Sequence, residues 1–442
     1  MFGLKKGARN DGQLLAPLDT GAIQLEPGQD YLLEAVLRTL TLGHLFTEGT
    51  ADSNQVWLEV QVHADGNLIG ASGLLDPVSG AVDEWSHFVN AYVLDKNGRR
   101  IDRRNAEDIF TPLYNHQIPP GAADVVHYGF EVPEQATRIE ITATLKYRKF
   151  DTRFFRLFID DETAYNDLPI TTIAQDKVIL GVGPTTVDIA VPEGAVPLWQ
   201  RWNDYGIGLL RKRGAGELRQ AEQAFSQVAT AGHATGHVNL ARVFLREGRL
   251  DEAVTALRAA TAHATPAPAW TVDYLSGLVN KQNGFLEAAV TDFTAVLTTQ
   301  YNDARQRGFD FSKDYRVRNE LAGVYFELAR LERTAERAEA RQALLDKAIT
   351  EFNATLVIDP ENMTAHYGLA QIYALTGDSA REKHHRDLHA RYKPDDNARD
   401  AAISAARRHS AAANAAADAI VIYDLHRHVR ANSGHGATVS QR

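Results

Sequence analysis

The chain has 442 residues, too many for one hydrophobic core, so two or three domains are expected. Its composition, 44% hydrophobic and 24% charged, is ordinary for a globular chain, and no apolar run approaches membrane-spanning length. Residues 1–195 hold 16 Lys+Arg against 28 Asp+Glu and the remainder 31 against 29, a balance that suits phosphate backbones poorly and sets nucleic acid aside as a partner.

The absence of cysteine excludes disulfides, thiolate metal sites, cysteine nucleophiles and haem attached through C-x-x-C-H. Residues 1–24 read as an N-terminal extension. Lys5 and Lys6 are followed by no apolar segment, so this is not a secretory signal and a cytoplasmic location is expected if the start is genuine.

From residue 25 to residue 195 the pattern alternates. QVWLEVQVH puts Val56, Leu58, Val60 and Val62 on one face and Trp57, Glu59, Gln61 and His63 on the other, the two-residue period of a half-buried strand. Asp65-Gly66 then reads as a hairpin turn, and Asn97-Gly98 as another. Further strands are predicted at Tyr31–Thr41, Phe88–Leu94, Val125–Val132 and Arg138–Tyr147, with a last strand and linker from Gly181 to Pro197. Short strands between turn signals predict an antiparallel β-sandwich.

The turns of this region gather His44, His87, His116 and His127 with Asp52, Arg103, Arg104 and Asn105. Imidazoles in such loops could ligate haem or a metal. No pair has a fixed ligand spacing, however, and the same residues serve equally as hydrogen-bonded supports for long connections.

Residues 196–395 carry a helix-pair pattern with a period of roughly 34. In HVNLARVFLREGRLDEAVTALRAA, Leu240, Ala241 and Phe244 form one stripe, Gly248 breaks the chain, and Ala253, Leu257 and Ala260 form the next. Small residues at Ala241 and Ala253 let two helices cross closely, while Phe244 and Leu257 fill the adjoining gap. This is the tetratricopeptide-repeat signature. Other copies run through Tyr205 and Leu209 to Ala221 and Phe225, through Gly277 to Ala289 and Phe293, through Leu321, Ala322 and Tyr325 to Ala348 and Phe352, and through Leu369, Ala370 and Tyr373. About fourteen extra residues before Ala348 are rich in helix formers and are expected to lengthen the helices. An all-α superhelix follows, whose inner helices present Asn203, Arg242, Arg246, Asn319 and Gln371 to a protein or peptide partner.

The second helix of the last copy has Glu382 at the small-residue position and carries His384, His385 and His389, whose spacing without a carboxylate motif reads as a solvated face. Residues 396–430 are Ala-rich and are expected to cap the end of the array through Ala419, Ile420, Val421, Ile422 and Leu425. Residues 431–442 have the composition of a disordered tail.

The segments LGHLFTEGTADSNQVWLEV, DEWSHFVNAYVLDKNGRRIDRRNAEDIFTPLYNHQIPPGA, HYGFEVP and LKYRKFD resemble the C-terminal region of bacterial multihaem c-type cytochromes that carry tetratricopeptide repeats. The resemblance covers residues 20–155 and, by domain order, the repeats. It implies C-x-x-C-H haem segments ahead of the sandwich and a periplasmic location. This chain lacks such segments, so the resemblance implies a fragment, a separately encoded piece or a descendant without the haem region, with haem as a cofactor only by that resemblance and His44 as the residue facing it in a full-length relative.

Without G-x-S-x-G, H-E-x-x-H, a phosphate-binding glycine loop or a paired-carboxylate motif, the chain is not expected to be an enzyme. Two functions are expected instead. One is a non-catalytic repeat scaffold for protein–protein interaction, as companion of a multihaem cytochrome system. The alternative is a redox component whose sandwich histidines contribute to a haem site of a partner.

Overall fold

The computed structural model describes residues 1–18, 23–47, 49, 53–187, 196–212 and 214–427. Asp52, residues 188–195 of the linker and the tail 431–442 lie outside the described residues. The chain divides into two compact units, Met1–Ala224 with Asp396–Arg442, and Phe225–Asp395. No helix among the described residues is long and apolar enough to cross a membrane.

The strands of the first unit are β1 (Gly3–Lys6), β2 (Leu14–Leu15), β3 (Gln24–Leu25), β4 (Asp30–Arg38), β5 (Gln55–Ala64), β6 (Asn67–Ser72), β7 (His87–Phe88), β8 (Ala91–Leu94), β9 (Thr111–Asn115), β10 (Ala123–Glu131), β11 (Arg138–Arg148), β12 (Ile170–Val182) and, near the far end of the chain, β13 (Ile422–Asp424). One sheet has the order β13-β10-β4-β1-β2 and the other β3-β12-β11-β5-β6, with β7 on β5 and β8–β9 as a separate hairpin. Both sheets are mixed rather than antiparallel throughout. β13 runs parallel to β10 and β3 parallel to β12, because an edge strand delivered by a long connection is not bound to the antiparallel return of a hairpin.

One buried cluster draws Leu33, Val126 and Tyr128 from the first sheet and Leu58, Val60 and Ile141 from the second. The Asp65-Gly66 turn forms as predicted, both residues at positive φ between β5 and β6. The other face of β5 departs from the sequence expectation. Trp57 is fully buried and Glu59 nearly so, since Trp57 Nε1 donates to Gly73 O at 3.0 Å and Lys146 Nζ lies 2.5 Å from Glu59. The supposed extension is part of the fold as well: β1 sits inside the first sheet, paired with both β2 and β4.

The first unit also contains α1 (Thr152–Ile159) and α2 (Leu198–Lys212). The sequence pattern assigns α2 to the first repeat, but it packs on β10. Gly208 permits this, for a Cβ there would lie 2.6 Å from Val125 Cγ2. The division between units falls inside the next helix, α3 (Ala215–Thr230).

The second unit is built of helix pairs. α4 (Ala234–Glu247) packs on α5 (Leu250–Ala262), α6 (Ala269–Gln282) on α7 (Leu286–Thr298), and, after the short α8 (Asn302–Gln306), α9 (Tyr315–Leu331) on α10 (Ala338–Ile358) and α11 (Met363–Thr376) on α12 (Ser379–Tyr392). Gly248 and Gly377, at φ +72° and +79°, end α4 and α11 in the left-handed region. Asp314, Asn362 and Asp378 cap α9, α11 and α12 with their side chains. Ala241, Ala253, Ala289, Ala322 and Ala348 are buried in the register read from the sequence. The extra residues lengthen α10 to 21 residues, as their composition predicts.

The C-terminal segment is a correction. Where a cap on the array is expected, α13 (Asp396–His409) and α14 (Ala411–Ala416) group with the first unit, where Ala406 and Ala413 pack with Leu94 and Leu113 of the β8–β9 hairpin. The apolar cluster that reads as a cap ends in Leu425, fully buried in the β core.

Candidate functional site

Lys5, Glu34 and His127 lie on three adjacent strands, β1, β4 and β10, with Glu34 and His127 directly opposite each other in the register. All three side chains are buried. Lys5 Nζ stands 2.5 Å from Glu34 Oε1 and His127 Nδ1 3.1 Å from Oε2. Burial alone would push the Glu34 carboxyl up, but the His127 imidazole and the Lys5 ammonium hold it below the usual carboxylate range.

A second group forms where β7 meets the start of β10. The rings of His87 and His116 stack with centroids 4.9 Å apart and planes 20° from parallel, and His116 stacks in turn on Tyr114 at 4.4 Å. His87 Nδ1 is 3.1 Å from the Tyr423 hydroxyl, and its Nε2 is 4.0 Å from Asp124, which pairs with Lys212 of α2 at 2.8 Å. Burial pushes His87 well below the usual imidazole value, with the His116 ring as the next cause; burial likewise takes His116 down to about 4. Burial opposes ionisation of Asp124, yet Lys212 and then His87 hold its carboxyl far below the ordinary range. The charged form of both imidazoles is thus disfavoured beside the Asp124–Lys212 pair. The group fastens β7, β10, α2 and β13 to one another.

Of the four histidines singled out from sequence, His87, His116 and His127 therefore join buried networks. His44 does not: it is exposed, its Nδ1 2.9 Å from Leu45 O. The neighbouring loop residues support their own loops. Arg104 lies over the rings of Phe150 and Phe154 and donates to Ser53 Oγ at 2.9 Å, Arg103 is 3.5 Å from Asp102, and Asn105 donates to Asp108 at 2.9 Å. Sequence reasoning missed Lys5, Glu34, Asp124, Lys212 and Tyr423. A lone acid in the apolar run YLLEAVL was the available signal for Glu34.

In the second unit α4 touches α6 and α9 touches α11, so the first helices of successive pairs share a face. Arg242 and Arg246 lie one turn apart on α4. Arg242 Nη1 donates to the buried Asn239 Oδ1 at 2.6 Å; burial and then the nearby Arg246 charge lower the pKa of its guanidinium. Lys281 of α6 pairs with Glu320 of α9 at 3.0 Å, a link between pairs that the sequence pattern did not single out. Asn319 is turned to structure, donating to the Asn362 cap at 3.1 Å, whereas Gln371 is exposed on α11 with Nε2 3.1 Å from Tyr367 Oη. Asn203 lies on α2 in the first unit, not among these helices.

The α12 histidines are engaged locally. His385 Nδ1 is 2.9 Å from His366 Nδ1, His384 packs edge-on against His385, and His389 Nδ1 is 3.0 Å from Met363 O. Burial and the neighbouring His366 take His385 down to about 4. Among the described residues no group of three or more His, Cys, Asp or Glu is placed to hold a metal ion.

No protein-family model matches the sequence, and no curated protein matches it. Solved structures similar to part of the chain include MamA, at 16% identity over 45% of this chain and 95% of that one with a TM-score of 0.33. YrrB, described as a TPR protein with an unusual peptide-binding site, has 17% identity over 46% and 90% with a TM-score of 0.33. The APC/C hetero-tetramer Cut9–Hcn1 has 17% identity over 47% and 36% with a TM-score of 0.34.

Proposed function

We propose that the chain is a non-catalytic scaffold whose helix pairs hold a protein partner, with the β unit as a second, structurally independent platform. What supports this reading is the array of helix pairs, with Arg242 and Arg246 one turn apart on α4. Burial and then the Arg246 charge both disfavour the charged form of Arg242. A carboxylate from an acidic segment or a chain terminus offsets the cost at Arg242, and arginine forks suit it geometrically. Gln371 adds an exposed amide on α11.

The resemblance over residues 20–155 nominates a multihaem c-type cytochrome as the partner. Haem ligation by this chain itself draws less support from the geometry, since His87 and His116 stack at 4.9 Å and leave no room for a porphyrin between their rings. A photoreactive residue at Gln371 tests the scaffold reading, with Val357, exposed on α10, as the comparison position. Cross-links to one protein from Gln371 and not from Val357 are expected. Equal labelling from both positions would count against the reading.

A further inference from the structure

In α6 the repeat departs from its own pattern. Gly277 stands where Ala241 does in α4, and Ala289 where Ala253 does in α5, so Ser276 and Asn280 take the places of Leu240 and Phe244. In α9 and α11 the same places hold Leu321 with Tyr325 and Leu369 with Tyr373. Apolar side chains there close the space between helices: Leu240, Phe244, Leu321, Leu369 and Tyr373 are all buried. Where they are lost, the second unit has an open groove of about 430 Å³ between α5, α6 and α7. This size falls within the ~300–1,000 Å³ of small ligand sites.

The groove has two kinds of wall. Leu257 of α5 with Val272 and Val279 of α6 line it with hydrocarbon, and Ser276, Asn280 and Asp292 of α7 set oxygen atoms into it. Asn280 Nδ2 donates to Asp292 Oδ2 at 2.7 Å, which leaves Asn280 Oδ1, Asp292 Oδ1 and Ser276 Oγ as acceptors. No cation among the described residues answers the carboxylate, for the groups that act on its charge are Asn280 and the Asp273 carboxylate. Burial pushes Asp292 up, the Asn280 hydrogen bond opposes this and Asp273 adds to it. Arg258, the one cation among the lining residues, is exposed on the α5 side and does not act on Asp292.

Charge complementarity and the hydrocarbon wall together call for an aliphatic stem that ends in N–H donors and a positive charge. We infer that the groove takes a lysine side chain of the protein partner, its stem along Leu257, Val272 and Val279 and its ammonium at Asp292, Asn280 and Ser276. The inference rests on the scaffold reading. Three donors on a compact ammonium match the three acceptors, whereas the arginine fork is built for two parallel bonds to one carboxylate, and Asn280 already holds Oδ2 of this one. A glutamate side chain meets Asp292 as a like charge, and an apolar one leaves the half-buried acceptors without donors.

Saturation-transfer NMR on the full chain tests this with the capped peptide acetyl-Ala-Lys-Ala-amide and with the same peptide carrying arginine, norleucine, Nε-acetyl-lysine or glutamate in the middle. The lysine peptide should bind most tightly, and the norleucine, acetyl-lysine and glutamate forms about tenfold or more weakly. Asp292→Asn, which keeps the shape of the side chain and removes the charge, should cost the lysine peptide about the same factor. Ser276→Leu with Asn280→Tyr, which restores the residues of the other copies, should fill the groove and abolish binding. Should that double variant fail to fold, Asp292→Asn decides alone. The probe has no free carboxylate, so its binding is read apart from Arg242 and Arg246, and a failure here leaves the reading of those two arginines standing. No transfer to the lysine peptide, equal affinity for the arginine or norleucine peptide, or affinity that survives either change would overturn the inference.

Discussion

The Nδ1 of His87 lies 3.1 Å from the hydroxyl oxygen of Tyr423, a residue 336 positions further along the chain. Two residues beyond it, Leu425 N–H donates to Gly129 O at 3.1 Å and its carbonyl accepts from Ala71 N–H at 2.8 Å, so one short segment bonds to β10 of the first sheet and β6 of the second. Leu425→Ala should therefore lower the stability of the β unit by about 2–5 kcal/mol, the range for emptying a buried leucine site. Urea unfolding followed at the β unit's tryptophans measures it. A midpoint equal to the parent's would mean that the segment is not part of this core.

Small residues carry the helix contacts. A Cβ at Gly277 would fall 2.6 Å from Cε1 of Phe293, and one at Gly368 would fall 2.2 Å from Cζ of Phe352. Gly277→Ala and Ala253→Leu should each cost about 1–3 kcal/mol through overpacking, with Ala253 fully buried in the parent. Thermal melts of the helical signal check both. Parental melting of Ala253→Leu would show that the helix register is misplaced.

Acid should loosen the β unit. His87 and His116 are held below the ordinary imidazole value of 6.5, His116 at about 4, so between those pH values the unfolded chain takes up protons that the folded unit refuses. Stability is then fully present above about pH 6.5 and declines as pH falls toward about 4, by up to about 3 kcal/mol for His116. Asp124, held far down by Lys212, extends the loss to lower pH, while Asp204, pushed up to about 6 by burial despite Arg38 at 3.0 Å, acts in the opposite sense. Melting temperature against pH should slope upward over this window, and His116→Gln should flatten it. An unchanged slope in that variant would assign the acid sensitivity elsewhere.

The repeats were legible because their contacts are local. The small residue at Ala253 and the break at Gly248 report helix crossings made within a few dozen residues, and strands such as β5 announce themselves by alternation. The segments that escaped are those whose partners are remote. β1 looks like a polar leader because its Lys5 is buried against Glu34, and the 421–425 cluster looks like a helical cap because nothing local says that β10 waits for it. The same holds for the candidate sites. His87 and His116 could be listed as histidines, but their stacking and the Asp124–Lys212 pair beside them depend on residues from four separate elements.

The scaffold reading is tested most directly by peptide binding. Peptides ending in an acidic residue with a free carboxylate, and the same peptides amidated, can be titrated against the full chain by fluorescence anisotropy. The parent should retain a subset of the free-carboxylate peptides and lose them on amidation, and Arg242→Glu with Arg246→Glu should abolish binding without changing the melting temperature. Binding that ignores both the amide and the double charge reversal would contradict an interaction surface on the inner helices.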